Sequence, residues 1–194
     1  MEIIKDGEVV VTYQQLLTEE ESQRLFDTLI EHTIWSVDQH TRKDVGTPRL
    51  VGCYTTIPGL SYMFGKNRRQ PQTCIPELES IWTRVEEATN SKYNFVLVNR
   101  YNDGSHSLGW HSDQASNLVP DSSIASISLG QPRVFQFKRK DNTHHVSQIL
   151  DNGSLLVMNY QTQDHYLHRV PKDKSTKSRI NLTFRHVRDY EIIQ

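Results

Sequence analysis

From Tyr93 to Val187 the chain is a succession of short runs rich in β-branched and aromatic residues, closed by turn formers. The runs are Phe95–Tyr101, Ile124–Leu129, Val134–Phe137, Val146–Leu150, Leu155–Asn159 and Ile180–Val187, and Asn102-Asp103-Gly104 and Asp151-Asn152-Gly153 lie among the separators. Short strands in series, each too short for an ordinary helix, predict a β-sandwich or jelly roll. Ahead of them a β-like segment at Glu8–Thr12 leads into two helical patterns. Thr18 opens the first after Leu17, Glu21 completes a capping box, and Leu25, Phe26, Leu29 and Ile30 recur at helical spacing. The second begins at Ile75-Pro76, where proline is tolerated in a first turn, and carries Leu78, Ile81, Trp82 and Val85 on one side. The expected class is α+β, with a double-stranded β-helix (jelly-roll) core over 93–188 buttressed by N-terminal helices. Residues 1–92 are expected to be mainly helical, and 1–194 to form a single domain.

The remaining composition narrows the function classes. Charge is nearly balanced, 22 Lys plus Arg against 23 Asp plus Glu, so any binding to a polyanion has to come from local patches. Candidate patches are Lys66, Arg68 and Arg69; Lys138, Arg139 and Lys140; and Lys172, Lys174 and Lys177. Cys53 and Cys74 are too few for a disulfide framework and form no C-x-x-C pair, which suits a reducing compartment. Met1 to Thr12 lacks the apolar run of a signal peptide, and no later stretch approaches membrane-spanning length. The expectation is an intracellular protein, of the cytoplasm or nucleus, with no membrane partner, acting as a monomer.

Two motifs carry chemistry. His111-Ser112-Asp113 is the only His-x-Asp in the chain, and His168 follows on a later strand pair. Two imidazoles and one carboxylate can form a facial triad, which holds Fe(II) on one side and leaves positions open for a co-substrate and oxygen. Nine histidines make such a pair common by chance, and on its own it also reads as a polar turn. The second motif is Arg179-Ile180-Asn181-Leu182-Thr183-Phe184-Arg185, whose alternation puts four polar side chains on one strand face. Its guanidiniums match a carboxylate bidentately, although an exposed sheet face has the same pattern.

Asn99-Arg100-Tyr101, His111-x-Asp113, His168 and Arg-x-Asn-x-Thr-x-Arg, in this order, resemble the AlkB family of oxidative demethylases. Pro48-Arg49, the Gly59–Phe64 segment, Ile124–Gly130 and Gly153–Met158 extend the likeness over about residues 46–187. The resemblance implies Fe(II) held by His111, Asp113 and His168. It implies 2-oxoglutarate as co-substrate, with Arg179 on its distal carboxylate and Asn99, Tyr101, Asn181, Thr183 and Arg185 around it, and O2 as oxidant. The implied reaction hydroxylates an N-alkyl group on a base such as 1-methyladenine or 3-methylcytosine, yielding formaldehyde, succinate and the restored base.

The partner so implied is nucleic acid, DNA or also RNA. A cationic base would stack between Phe64 and His111, with Arg49, Tyr62 and Trp110 beside it and residues 1–92 serving substrate recognition. Two departures bear on this. Gln114 and Ala115 follow the triad where relatives carry acidic residues, which puts base preference in doubt. Asp38–Lys43 lacks an apolar wedge, so single-stranded substrate is expected to be preferred. Competing readings are the same iron chemistry on an RNA regulatory modification, a protein or a small molecule, and a catalytically inactive binder of modified nucleic acid.

Overall fold

The computed structural model describes residues 1–37, 49–64, 67–113, 115–188 and 190–192, without the side chains of 62–64, 67, 69 and 115. The strands are β1 (Glu2–Asp6), β2 (Val9–Gln15), β3 (Ser36–Val37), β4 (Leu50–Thr55), β5 (Leu60–Phe64), β6 (Asn67–Arg69), β7 (Gln72–Thr73), β8 (Phe95–Tyr101), β9 (Leu108–His111), β10 (Ile124–Gly130), β11 (Arg133–Arg139), β12 (His145–Leu150), β13 (Ser154–Met158), β14 (Tyr166–Val170), β15 (Arg179–Arg185) and β16 (Glu191–Ile192). The helices are α1 (Glu19–His32), α2 (Pro76–Thr89) and the single turn α3 (Thr162–His165).

A large sheet runs β1-β2-β13-β10-β15-β8-β4-β3, with β7 beside β4, and a small sheet runs β12-β11-β14-β9. The two form the jelly-roll core, and β5, β6 and β16 make a separate three-stranded sheet. Alternation along β15 divides the interior into two layers. Ile180, Leu182 and Phe184 point to one side, where they meet Leu25 and Leu29 of α1 and Leu78, Ile81, Trp82 and Val85 of α2. Trp82 meets the Phe184 ring edge-on at 5.3 Å between centroids. The other side faces the small sheet across Leu97, Phe135, Phe137, Met158 and Val170. Both helices therefore buttress the large sheet from outside, and the space between the sheets is left for the polar face of β15.

The helix starts follow their local chemistry. The Thr18 hydroxyl accepts the Glu21 N–H at 3.2 Å and the Glu21 carboxylate accepts the Thr18 N–H at 2.8 Å, which satisfies donors that a helix start leaves open. Pro76 occupies the first turn of α2, and Asn90 ends it in the left-handed region at φ 48°.

Several features differ from the sequence reading. Residues 1–92, expected to be mainly helical, supply sheet as well: β2 pairs with β13 and β4 with β8 inside the large sheet. Strand β1 precedes the Glu8–Thr12 segment and pairs with β2. Strand β9 has no counterpart among the expected runs, because Gly109 and the polar His111 interrupt the apolar alternation by which a strand is recognised.

Candidate active site

Strands β9 and β14 bring the three candidate ligands together. Their register sets His168 opposite His111, with ring centroids 4.3 Å apart, and Asp113 lies two residues beyond the end of β9. One ligand atom from each of His111, Asp113 and His168 falls within 4.8 Å of the others. The surroundings hold this arrangement. The Asp113 N–H donates to Gln163 Oε1 at 2.8 Å, and the Phe135 ring stacks on His168 at 5.3 Å. His111 Nδ1 is 2.9 Å from the Gly109 carbonyl, and a proton donated there leaves Nε2 as a free lone pair. Burial pushes the His111 imidazole below its ordinary range and takes His168 down to about 3, so both are neutral ligands at physiological pH. Burial by itself would raise the Asp113 carboxyl, but Arg185, His168 and His111 outweigh it and bring it to about 2. Two neutral imidazoles and an ionised carboxylate make the donor set of a non-haem Fe(II) site. His165, the sequence rival of His168, is exposed at the end of α3.

The polar face of β15 is buried rather than solvated. Asn181 Nδ2 donates to Ser126 Oγ at 2.6 Å, and its Oδ1 accepts the Thr183 hydroxyl at 2.9 Å. Arg185 Nη2 bonds Asp113 Oδ1 at 2.7 Å, joining this strand to the triad. Arg179 is 1% exposed. It donates from Nη2 to Ser128 Oγ at 2.9 Å and sits 5.3 Å from the Tyr101 ring centroid, while Nε and Nη1 have no hydrogen-bond partner. Burial lowers the guanidinium to about 10, which still leaves it charged at neutral pH. A buried cation with open donors is costly unless an anion meets it. A cavity of about 90 Å³ runs between the two groups, lined by the triad, Asn99, Tyr101, Arg179, Asn181, Thr183 and Arg185. The residues present thus fit Fe(II) at one side and a carboxylate at the other.

Not every expected contact is on this cavity. Arg49 lines it and donates from Nε to Asn99 Oδ1 at 2.8 Å. Trp110 does not line it, because strand alternation turns it to the opposite side of β9 from His111. There it lies 4.5 Å from the Arg169 guanidinium and 5.1 Å from the Lys138 ammonium. Tyr62 and Phe64 fall in β5, but their side chains are outside what is described, as is that of Ala115. Gln114, Pro48, Asp38–Lys43 and Lys66 lie outside the described residues, and so does the Arg69 side chain. Among the basic clusters, Arg68 pairs with Glu191, Arg139 with Asp6 and Asp141, and Lys140 with the Gln163 carbonyl. Lys172, Lys174 and Lys177 are exposed. Sequence reasoning passed over Ser126, Ser128, Phe135 and Gln163. The first two were available from the alternation of Ile124–Gly130, which sets both serines on one strand face.

The profile of the 2OG-Fe(II) oxygenase superfamily matches residues 9–185. DNA oxidative demethylase ALKBH2 of Homo sapiens is 35% identical over 91% of this chain and 72% of its own length. The Mus musculus ALKBH2 is 42% identical over 66% of this chain, which spans only 58% of that relative. Alpha-ketoglutarate-dependent dioxygenase alkB homolog 3 of Mus musculus is 34% identical over 92% of this chain and 66% of its own length. Among solved structures, that of OsALKBH1 superposes with a TM-score of 0.70 at 17% identity, covering 94% of this chain and 99% of the other. A Pseudomonas putida prolyl-4-hydroxylase reaches 0.60 at 10% identity, covering 92% of each. At such identities these two speak for the fold alone, whereas the superfamily profile and the sequence relatives go further: the chain belongs to the AlkB family of 2OG-Fe(II) oxygenases.

Proposed function

We propose that this chain is an Fe(II)/2-oxoglutarate-dependent dioxygenase that removes alkyl groups from N-alkylated nucleic-acid bases, with 1-methyladenine and 3-methylcytosine as representative substrates. The observation that carries the reading is one cavity with a His-Asp-His cluster at one side and a buried arginine with two open donors at the other. Relatives named DNA oxidative demethylase support the substrate class.

His111, Asp113 and His168 hold Fe(II). Arg179 takes the distal carboxylate of 2-oxoglutarate, with Asn99, Tyr101, Asn181, Thr183 and Arg185 around the co-substrate. Together with O2, the bound metal and co-substrate supply the oxidising power for the N-alkyl carbon, and the protein supplies orientation and exclusion. Burial lowers both imidazoles below their ordinary range, so protons compete little for the ligand nitrogens at neutral pH. Arg185 holds Asp113 in place and ionised. The Phe135 ring on His168 covers that ligand with an apolar surface. His111 and Arg49 are the described side chains that line the cavity among those assigned to the base, and Tyr62 and Phe64 of β5 complete the proposed contact. Trp110 is not retained in that role, since it faces the other way. The protein is further proposed to act as an intracellular monomer and to prefer single-stranded nucleic acid.

The deciding experiment measures formaldehyde and succinate release with Fe(II), ascorbate and 2-oxoglutarate from single-stranded oligonucleotides carrying either lesion. Stoichiometric release that disappears in Asp113→Ala is the expected result. Succinate without formaldehyde would show an oxygenase directed at another substrate, and neither product would refute the reading.

A further inference from the structure

Arg133, the first residue of β11, is 2% exposed and does not line the cavity; both of its Nη nitrogens donate hydrogen bonds and its Nε side is ion-paired. Nε lies 2.7 Å from Asp173 Oδ2. Nη1 donates to the Asp103 carbonyl at 3.2 Å, and Nη2 to the carbonyls of His106 at 3.1 Å and Pro171 at 2.6 Å. These partners come from two loops, 102–107 between β8 and β9 and 171–178 between β14 and β15. Each loop crosses from one sheet to the other.

The loops are also bound to each other. The Gly104 N–H donates to the Ser175 carbonyl at 2.8 Å, and the Asp173 N–H to the Gly104 carbonyl at 2.9 Å. Asp173 Oδ1 accepts both the N–H and the hydroxyl of Ser175, so Asp173 orders its own loop while Oδ2 holds Arg133. The approach is so close that a Cβ on Gly104 would clash with Asp173 Oδ1.

Tyr101 ends β8 and Arg179 begins β15, and the two are paired in register, so both are attached directly to the tied loops. The Tyr101 ring contacts both guanidiniums, Arg179 at 5.3 Å and Arg133 at 5.8 Å from its centroid. The two arginines differ in what they have left to give. Arg133 has committed both Nη nitrogens to loop carbonyls and its charge to the Asp173 carboxylate, whereas Arg179 has no ion-pair partner among the described residues and keeps Nε and Nη1 open. After burial, the charge of Arg133 is among the influences that lower the Arg179 guanidinium, so the two guanidiniums share one electrostatic neighbourhood, with Asp173 balancing Arg133 and nothing comparable among the described residues balancing Arg179.

We infer that Arg133, anchored by Asp173, is a positioning residue for the dicarboxylate co-substrate: it ties the two inter-sheet loops across the end of the sandwich and fixes where Arg179 offers its open donors. The inference rests on Arg179 being the site of the distal carboxylate. It assigns Arg133 no contact with the co-substrate, and it predicts that loosening the tie weakens 2-oxoglutarate binding while sparing the metal ligands, which sit on β9, the residues just after it and the middle of β14.

The test is calorimetric binding of 2-oxoglutarate to the Mn(II)-loaded protein without turnover, with Mn(II) affinity measured in parallel. Arg133→Met is expected to raise the 2-oxoglutarate Kd about tenfold and Asp173→Asn about threefold, with Mn(II) affinity within about twofold of the parent in both. The Asp173→Asn variant keeps the backbone and much of the loop's own hydrogen bonding, so it decides the matter if Arg133→Met does not fold. Unchanged 2-oxoglutarate binding, or a parallel fall in Mn(II) affinity that marks general damage, would overturn the inference. Arg179→Gln separates the two levels. If it leaves 2-oxoglutarate binding intact, the assignment of the distal carboxylate is wrong; if it abolishes binding while Arg133→Met and Asp173→Asn do not weaken it, only the role of Arg133 is lost.

Discussion

Only Tyr166 and Leu167 lie between His165 and His168, yet the first histidine ends a short helical turn and the second sits in mid-strand. His168 lies inside β14, opposite His111 and under the Phe135 ring, whereas His165 is exposed at the end of α3. His168→Ala is therefore expected to lose nearly all bound Fe(II) and His165→Ala to keep it, as read by iron content after reconstitution and desalting. Full iron retention without His168 would refute the ligand assignment. In the loop that leads to Arg179, Asp173 gives a pH test with a definite sign. Burial raises its carboxyl, but the bonds from Ser175 and the charge of Arg133 outweigh burial and hold it below the ordinary 3.8. A carboxyl whose folded value is depressed stabilises the fold above its unfolded value, and that stability fades as pH falls through the folded one. Asp173→Asn should thus be less stable than the parent at pH 6, with the gap closing as pH drops below about 3.8. A gap independent of pH in denaturant titrations would show that the charge contributes nothing.

At the level of elements, the helices serve the site from behind. Leu78 of α2 is fully buried against the large sheet, on the side away from the cavity. Leu78→Ala should cost about 2–5 kcal/mol in urea unfolding, since a deleted core side chain leaves a cavity that relaxes only in part. Thr18→Ala removes a cap at a partly solvated helix end and should cost only about 0.5–2 kcal/mol. Reversal of that order would contradict the burial of Leu78 between α2 and the large sheet. The start and the buried face of both helices were legible in the sequence, because a capping box, a first-turn proline and helical spacing are local signals. Strand β9 was not legible, since a strand that must present a metal ligand to the interior gives up the apolar alternation that marks it. Strand β4 was hidden for another reason: it lies in a stretch flanked by helices, and its place beside β8 comes from long-range pairing that local propensity does not encode.

For the molecule as a whole, the proposed nucleic-acid substrate would have to reach His111 and Arg49, both half-buried where they line the cavity. Reaching a base inside a duplex requires unstacking it, and Asp38–Lys43 brings no apolar residue that could hold the gap. Turnover of 3-methylcytosine should therefore be faster in a single strand than in a fully paired duplex of the same sequence. Equal or faster duplex turnover would sink that expectation. What the sequence by itself determined is the chemistry at each position: the His-x-Asp pair, the alternating Arg-Asn-Thr-Arg strand and the helices, all set by residue type and spacing over a few positions. Only the tertiary structure decided that the polar face of β15 lies inside rather than in water, that Trp110 faces away beneath Arg169 and Lys138, and that Arg133 ties two distant loops behind Arg179. The physical reason is that the burial of the β15 polar face and the ion pairs of Arg185 and Arg133 arise where the small sheet closes over the large one. That closure joins residues dozens of positions apart, beyond the reach of any local pattern.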